Sequence, residues 1–521
     1  MTHASARSRL GRRRMDRYAN PEIHGWSMPT VAIQQWTARN EFLTAPYVSR
    51  KIRPWAQVQA NLPEPWWAGA AGWTDLYHWT CQQAFAHWRE AGNRMALASS
   101  FLDTMFNENT FMWDSCFMTM FTRYLHRHLP GIHTLDNFYA CQHPTGFICR
   151  EINWKTGCDY WQEFDPNATG PNVLSWAEWE HFQSFGDRTR LRKVFPALLA
   201  FHLWYQRARR WPDGTYWATG WSSGMDNQTR VPNSRYHHRF YSWCDTTCQM
   251  ALDARMLAQM ARELGETAQA RQLARELKEL QGLINRRLWD NRRGFYFDRS
   301  PEGQWSPVMS IGAYWALLAG VVPPTRVARL VGHLANPREF KRHHPVPSQP
   351  VSSVGYNPKN GGYWRGGVWS PTNYMVFTGL SRHGYGDLAH QLARQHLQAV
   401  YNIWRTTGTL WENYGPEADS PGRARPDFVG WTGLSPISIF IEHVLGIQVR
   451  AQNHAVDWKI RLAEPHGIRR LPIGATGTAD LEFIGPRVTV QSTKAFQLNL
   501  QRGRRRQEIS IPARRVTTIT V

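Results

Sequence analysis

Two acidic motifs lie far apart in this chain, and each places one carboxylate among aromatic and small residues. Asp226 stands in Gly-Met-Asp-Asn at 224–227, a few residues after Trp221. Glu412 stands in Trp-Glu-Asn-Tyr at 411–414. A carboxylate that loses hydration on burial has a raised pKa unless hydrogen bonds or cations compensate. Two such acids suit glycoside hydrolysis, in which one protonates the leaving oxygen and the other activates water or attacks carbon.

Aromatic residues are abundant, and many of them adjoin polar residues. The 521 residues include 27 Trp, 18 Tyr and 23 Phe. Rings stand beside polar side chains in Trp113-Asp114, Tyr363-Trp364-Arg365, Trp411-Glu412 and Trp431-Thr432. A sugar presents an apolar C–H face and a rim of hydroxyls, so its site needs flat rings interleaved with hydrogen-bonding groups. Core packing would also use such rings, and both acids could be helix caps or salt-bridge partners, so both interpretations stay open at this point.

Composition limits the class of protein. Hydrophobic content of 42% with 19% charged residues is typical of a globular chain with an ample core. No stretch approaches the roughly 20 apolar residues that span a bilayer. The Arg-rich segment Met1 to Tyr18 is followed by neither an apolar segment nor a cleavage site, so we expect the protein to remain in the cytoplasm. Seven cysteines without a CxxC pair argue against a disulfide framework and suit a reducing compartment.

A metal site has little support in the sequence. Cys244 and Cys248 lie one helical turn apart, with His237 and His238 nearby. The two histidines are adjacent, however, and a buried free cysteine behaves as a small hydrophobe. The sequence also has no Asp/Asn-rich calcium loop. We therefore predict neither a metal nor a cofactor.

The formal net charge is +21. Arginines cluster at Arg7 to Arg14 and at Arg502 to Arg506, as they do in solvated tails, and the rest of the excess is dispersed. A nucleic-acid-binding protein would show a basic face interleaved with aromatic residues or a known motif. No such motif is present. We expect a carbohydrate substrate as partner, with no nucleic acid and no membrane, and the oligomeric state stays open.

The elements that must position these residues are mainly helical. Amphipathic stretches predict helices at Trp73–Ala91, Ser115–His128, His133–Gln142, Val173–Phe185, Arg188–Arg207, Trp243–Leu264, Ala268–Leu288, Val308–Leu318, Pro324–Ala335, Pro371–Leu380, Gly386–Thr406 and Gly433–Leu445. Their pairwise rhythm suggests repeated hairpins, with inner helices lining a barrel and outer helices covering it. The motifs fall in the loops between these helices, where binding sites usually form.

Three regions follow from this pattern. Residues 1–54 are predicted to be a basic, partly disordered extension, and residues 55–447 the helical catalytic domain. Residues 448–521 are predicted to be a small β module, because short alternating runs replace the helical pattern there. Strands are predicted at Asp480–Phe483, Arg487–Gln491, Phe496–Gln501 and Val516–Val521.

Taken together, the motifs resemble those of one enzyme family. The motifs, in order, are Trp113-Asp114, Ser223 to Asn227, Val346 to Ser348, Gly362 to Trp369 with Asn373, Trp411 to Tyr414, and Gly430 to Thr432. This set is similar to that of glycoside hydrolase family 63 and the mannosylglycerate hydrolase-like enzymes, with a more distant likeness to family 37 trehalases. The resemblance covers about Trp73 to Gly446. It implies an inverting glycosidase on an (α/α)6 barrel, a fold built of six helical hairpins.

The resemblance also implies roles for individual residues. Asp226 would be the general acid and Glu412 the general base, with the two carboxyls about 6.5–9.5 Å apart to admit a water. Asp114 would hydrogen-bond sugar hydroxyls beside the wall formed by Trp113, although it could equally be a helix N-cap. The further residues predicted to bind substrate are Arg150, Gly224, Trp364, Arg365, Trp369, Trp411 and Trp431. Arg365 is expected to hold either Glu412 or a substrate hydroxyl, and Gly366-Gly367 to permit close backbone approach.

Specificity stays open between several alternatives. The glycone is expected to be α-linked glucose or mannose, and the aglycone a small group or an oligosaccharide. Relatives often carry Pro where Gly367 stands in this chain. Two other classes compete with hydrolysis: an inverting phosphorylase, which replaces the base with phosphate, and a non-hydrolytic carbohydrate-binding or lyase-type barrel. Glu412 in its motif argues against the phosphorylase.

Overall fold

The computed structural model describes residues 30–90 and 97–521, and its first part is helical. The helices are Thr30–Thr37 (α1), Trp55–Val58 (α2), Gly72–Ala86 (α3), Met112–Thr122 (α4), Asp136–Ala140 (α5), Leu174–Phe185 (α6), Arg188–Ala208 (α7), Cys244–Leu264 (α8), Thr267–Arg287 (α9), Trp315–Ala319 (α10), Pro324–Gly332 (α11), Ser370–Arg382 (α12), Gly386–Thr407 (α13) and Ser435–Val444 (α14). Short 3-10 turns lie at Glu41–Leu43, Gln59–Asn61, Ala68–Ala70, Gly131–Leu135, Ile311–Tyr314, His333–Ala335, Trp431–Leu434 and Ala451–Asn453.

The strands are short in the helical part and longer near the end. They are Glu64–Trp67 (β1), Trp88–Arg89 (β2), Phe101–Leu102 (β3), Asn109–Phe111 (β4), Glu151–Asn153 (β5), Trp289–Asp290 (β6), Phe295–Tyr296 (β7), Ile447–Arg450 (β8), Ala455–Ile460 (β9), His466–Ile473 (β10), Gly477–Ile484 (β11), Arg487–Ser492 (β12), Phe496–Arg502 (β13), Arg505–Ile511 (β14) and Val516–Thr520 (β15).

A helix occupies each of the twelve segments where the sequence predicts one. The predicted boundaries hold well for long amphipathic helices such as α8 and α9. They are too long at α5 and α10, because a 3-10 turn forms the first part of each predicted segment. The first predicted helix ends at Ala86, before strand β2, and its predicted end at Ala91 lies outside the described residues.

Six helices form a closed ring. Helix α4 contacts α6, α6 contacts α8, α8 contacts α10, α10 contacts α12, α12 contacts α14, and α14 contacts α4. Every residue of α4, α10 and α14 is buried, as expected for helices that pack on all sides. Helix α9 lies outside the ring against α8 and buries Ala270, Leu273, Leu280 and Ile284, a single apolar stripe.

Outer helices alternate with the ring helices along the chain. Each outer helix brings the chain back from one end of the ring to the other. The six ring helices therefore run in the same direction, and their N-terminal ends gather at one end of the ring. The loops that precede α8, α12 and α14 and the first turn of α4 carry the acidic and aromatic motifs. The opposite end of the ring faces the terminal strands, where β8 contacts α6 and α14.

Two sheets follow the helices. The larger has the order β1-β10-β11-β12-β15, and the smaller has the order β14-β13-β9-β8 with β13 parallel to β9. All four predicted strands are confirmed, while β8, β9, β10 and β14 were missed. The sequence also gave no sign that β1, with Glu64 opposite Arg469, belongs to the terminal sheet. This long-range pairing ties the beginning of the helical part to the β module.

Residues 30–54, the described part of the predicted N-terminal extension, include a helix. Helix α1 packs on α7, with Ile33 fully buried and the Trp36 ring edge-on to Phe195 at 5.8 Å. The Arg-rich segment at Arg7 to Arg14 lies outside the described residues. In the part of the chain that the structure covers, no helix has the length and apolar character needed to cross a membrane.

Candidate active site

Strand pairing brings two predicted site segments together at the start of α4. Phe111 pairs with Glu151, and the Met112 backbone N–H donates to the Arg150 carbonyl at 2.8 Å. Arg150 and Glu151 therefore lie beside Trp113 and Asp114. Asp114 belongs to the first turn of α4, whose N-cap position is occupied by Phe111, so the interpretation of Asp114 as an N-cap is wrong. Its Oδ1 is buried and has no hydrogen-bond partner among the described residues.

The Asp226 loop is fixed by its neighbours in the motif. Gly224 has φ +73°, and a Cβ there would lie 3.1 Å from the Trp113 indole nitrogen, so the loop passes directly over that ring. Asn227 donates to the Gly362 carbonyl at 2.9 Å and accepts from the Trp364 N–H at 2.9 Å. This side chain therefore ties the Asp226 loop to the loop at 361–369.

Glu412 lies on an extended segment paired with that same loop. Val368 and Tyr414 exchange two backbone hydrogen bonds of 2.9 Å each. A Cβ on Gly367 would lie 2.2 Å from the Tyr363 carbonyl oxygen, so only glycine allows this approach. The Tyr363 hydroxyl donates to Glu412 Oε1 at 3.1 Å. The hydrogen bond to Glu412 is therefore donated by Tyr363 and not by Arg365. Arg365 Nε has no partner among the residues described.

The three carboxyls share one electrostatic environment. Loss of hydration raises the pKa of Asp226 to about 6, although Arg150 and Arg235 act in the opposite direction. Burial likewise raises the pKa of Glu412 to about 7, against the Tyr363 hydrogen bond and with a contribution from Asp226. Burial and the Glu412 charge raise the pKa of Asp114 well above its usual range.

Tyr363 is central to this group. Burial raises the pKa of its hydroxyl, and Glu412, Asp226 and Asp114 each raise it further. One phenol close enough to be influenced by all three acids shows that segments almost 300 residues apart converge on one place. Carboxyls that keep a proton near neutral pH are suited to proton transfer.

Aromatic rings enclose the acids on one side. Trp364 and Trp369 are buried and stack with centroids 3.9 Å apart and an interplanar angle of 3°. Trp431 meets Trp369 edge-on at 5.6 Å and Trp113 at 6.3 Å. These four predicted site residues therefore form one continuous cluster. Trp411 differs, because its indole N–H donates to Thr407 at the end of α13.

Arginines and further rings lie near the loop that carries Asp226. Arg150 donates to Glu151 Oε1 at 2.8 Å and to the Trp221 carbonyl. Its guanidinium lies 5.4 Å from the Trp221 ring centroid, and that of Arg235 lies 5.2 Å from it. Trp161 meets Trp221 edge-on at 5.2 Å.

Several residues in this arrangement were not selected from the sequence. Tyr363 and Asn227 were present in the quoted motifs, so their positions were a usable signal. Trp161 stands beside Gln162 and Glu163, a pairing of ring and polar residues that was a usable signal, whereas Arg235 had no such signal. Cys244 and Cys248 are buried in α8, and no group of ligating side chains in the described ranges could hold a metal ion.

Acids with raised pKa values, flat rings and hydrogen-bonding groups together suit a polyhydroxylated ligand. Comparisons with known proteins agree. Residues 107–432 match the family model described as "Mannosylglycerate hydrolase MGH1-like glycoside hydrolase domain".

Individual relatives share parts of the chain. A probable mannosyl-oligosaccharide glucosidase of Schizosaccharomyces pombe is 25% identical over 47% of this chain and 34% of its own length. The mannosylglycerate hydrolase of Rubrobacter radiotolerans is 29% identical over 36% of this chain and 41% of its own length. The matched region thus spans less than half of either relative.

A solved structure shares the fold. The family 63 mannosylglycerate hydrolase of Thermus thermophilus, in complex with glucose, superposes with a TM-score of 0.56 and 22% identity over 70% of this chain and 99% of that one. The family match covers the segments that carry all three acids and the ring cluster. The chain therefore belongs to the mannosylglycerate hydrolase MGH1-like glycoside hydrolase family and is a glycoside hydrolase.

Proposed function

We propose that this protein is an inverting hydrolase of α-linked glucosides or mannosides, with Asp226 as general acid and Glu412 as general base. The observation that carries the proposal is the convergence of both carboxyls, with raised pKa values, around the Tyr363 hydroxyl. The proposed scaffold is an (α/α)6 barrel, formed by the six ring helices and the six outer helices α3, α5, α7, α9, α11 and α13. Its catalytic unit spans residues 55–447, and residues 448–521 form the β module.

The electrostatics support acid–base catalysis by this pair. Carboxyls that titrate near pH 6 and 7 hold about one proton between them near pH 6.5. The higher value belongs to Glu412, so the assignment of Asp226 as the acid is based on the motif resemblance and not on these two pKa values. A hydrolase of this type needs one protonated and one ionised carboxyl at the same time. Asp226 lies beside Arg150 and Arg235, and Glu412 beside Tyr363 and Arg425, so the two acids have different neighbours.

In the proposed reaction, Asp226 donates its proton to the glycosidic oxygen as the bond to the anomeric carbon breaks. Glu412 removes a proton from a water that attacks the opposite face of the sugar, which inverts the anomeric configuration. Asp114, with one unpaired buried oxygen, accepts hydrogen bonds from sugar hydroxyls. Trp113 and Trp431 provide the apolar wall, and the fully buried Trp364 and Trp369 support it from behind. Gly224 lets its loop pass close to Trp113, and Arg150 orients Glu151 beside it.

The retained base favours hydrolysis over phosphorolysis. A phosphorylase uses phosphate in place of the second carboxylate, whereas Glu412 is buried and hydrogen-bonded to Tyr363. The names of the relatives supply the sugar classes, since one refers to mannosylglycerate and the other to a mannosyl-oligosaccharide glucosidase.

The test is a panel of α-glucosides and α-mannosides, including glucosylglycerate, mannosylglycerate, trehalose, kojibiose and nigerose, with the product anomer followed by proton NMR. Initial release of the β-anomer from an α-linked substrate is expected. Initial release of the α-anomer would overturn inversion. A rate that depends on added phosphate would replace hydrolysis with phosphorolysis.

A further inference from the structure

A cavity lies at the opposite end of the helical ring from the three acids. Its volume is about 200 Å³, and it separates the C-terminal ends of α4, α6, α12 and α14 from the β8–β9 hairpin. Five cationic and three carboxylate side chains line it. They are Arg123, Arg382, Arg450, Lys459, Arg461, Glu180, Glu442 and Asp457.

The side of the cavity formed by helices is internally neutral. Arg123 forms ion pairs with Glu180 at 3.0 Å and with Glu442 at 2.5 Å. Arg382 also pairs with Glu180, at 3.3 Å, and donates to the Leu318 carbonyl. Two arginines thus balance two carboxylates, all of them with most of their surface removed from solvent.

The hairpin side carries an excess of positive charge. Arg450, Lys459 and Arg461 stand against the single lining carboxylate of Asp457, which lies 3.6 Å from Arg450 Nε. Arg461 pairs with Asp387, a carboxylate that is 97% exposed and does not line the cavity. The Lys459 ammonium has no hydrogen-bond or ion-pair partner within the described ranges.

The positive charges of the hairpin are not balanced by carboxylates that line the cavity, although Lys459 is exposed and Arg450 and Arg461 are half-buried, so water screens them in part. Burial and the neighbouring Arg461 and Arg450 guanidiniums lower the pKa of Lys459, although Asp457 acts in the opposite direction. Burial also lowers the pKa of Arg382, and Arg450 adds to that effect. The partial negative charge at helix C-terminal ends favours cations only within the last turn, and Lys459 lies on strand β9.

We propose that this cavity is a second ligand site that binds one small oxyanion, a phosphate or carboxylate group, free or carried on a short hydroxylated chain. Lys459, Arg450 and Arg461 supply the cationic contacts, and Thr378, Ser381 and Ser184 line the same space with hydroxyls. At about 30 Å³ for each water, the cavity holds about six or seven waters, enough for a phosphate with a few further atoms. The site is separate from the proposed acid and base and does not depend on their roles.

The experiment is calorimetric titration of the full chain with inorganic phosphate and, separately, with acetate at constant ionic strength. One phosphate per chain is expected, and Lys459→Gln and Arg461→Gln should each weaken its binding by about tenfold or more, as expected for loss of a charged hydrogen-bond donor. Lys494→Gln is the matched control, since this exposed lysine lies in the β12–β13 turn and removes the same charge. Tighter binding of acetate than of phosphate would identify a carboxylate as the ligand group.

Either of two results would overturn the proposal outright, and a third would move the anion to the other end of the ring. One is the lack of saturable binding of either anion to the wild type. The other is equal affinity in the wild type, Lys459→Gln and Arg461→Gln. Phosphate binding that is lost in Asp226→Asn but retained in both cation variants would place the anion at the other end of the ring, which also contradicts it. Melting temperatures of all variants without anion show whether each one is folded.

Discussion

At one end of the helical ring, Asp114, Asp226 and Glu412 are brought together with no ion pair to any of them among the described residues. At the other end, Glu180 and Glu442 are as deeply buried, but each touches Arg123. Tyr374 and Tyr124 also donate to Glu442, at 2.9 and 3.0 Å. Burial alone would raise the pKa of Glu180, yet Arg123 and Arg382 lower it below its ordinary value.

The comparison shows that burial by itself does not mark a catalytic carboxylate. Burial also raises the pKa of Glu442, so the direction of a shift is not sufficient either. The difference lies in the partners, since Glu442 accepts three hydrogen bonds within the protein while Asp114 keeps a buried oxygen unpaired. Partnered charges hold the ring together, and unpartnered ones remain available to a substrate.

The largest expected difference between the two ends is in activity. Asp226→Asn and Glu412→Gln should each lower kcat about 10²- to 10⁴-fold, because each removes a proton donor or acceptor from the transition state. Steady-state kinetics on the best substrate of the panel would measure this. Glu442→Gln is the control at the other end, and the folded variant should keep the wild-type kcat. Turnover that survives both active-end substitutions would refute the acid and base assignments.

The second difference is in stability. Arg123→Met should lower the free energy of unfolding by about 3–5 kcal/mol, because it leaves Glu180 and Glu442 buried without their cation. Urea denaturation followed by circular dichroism would measure the change. Arg271→Met, on the exposed face of α9, should change it by less than about 0.5 kcal/mol. A small effect at Arg123 would mean that the network at this end contributes little to folding.

The third difference is the direction of the carboxyl pKa shift, which is upward for Asp226 and downward for Glu180 at the other end. The pKa of Asp226 is raised from 3.8 to about 6 in the folded protein, so the unfolded chain loses this proton first as the pH rises. Stability therefore falls between about pH 4 and 6 and stays lower above that range. Because Asp226 is partly exposed, Asp226→Asn should raise the free energy of unfolding by only about 1–2 kcal/mol at neutral pH. The gain should vanish below about pH 4, and pH-dependent denaturation would show whether it does.

The smallest difference concerns two tyrosines. Tyr363→Phe removes the hydrogen bond that lowers the pKa of Glu412, so the pKa should rise and the pH optimum of kcat/KM should move upward. Tyr374→Phe makes the same change beside Glu442 at the other end and should leave the optimum in place. Equal profiles for the wild type and Tyr363→Phe would show that this hydroxyl does not influence the titration of Glu412.

Much of the helical architecture could be predicted, because long amphipathic helices such as α8 and α9 have a strong local pattern. The shorter α5 and α10 were predicted too long, since a 3-10 turn and an α-helix present similar apolar spacing. Strand β1 was missed because its pairing with β10 joins residues about 400 positions apart. A strand of four residues is too short to show a sequence pattern that would predict such a pairing.

By itself, the sequence determined the family and the two acidic motifs, because glycines, tryptophans and acids recur there in a fixed order. It also contained Asn227 and Tyr363 within those motifs, without showing that one ties two loops together and the other contacts Glu412. Only the tertiary structure decided which buried acids form ion pairs. Arg123 lies far from Glu180 and Glu442 in sequence, and electrostatic pairing depends on distance in space. The division between an end whose buried acids form ion pairs and an end whose acids form none among the described residues is therefore a property of the fold.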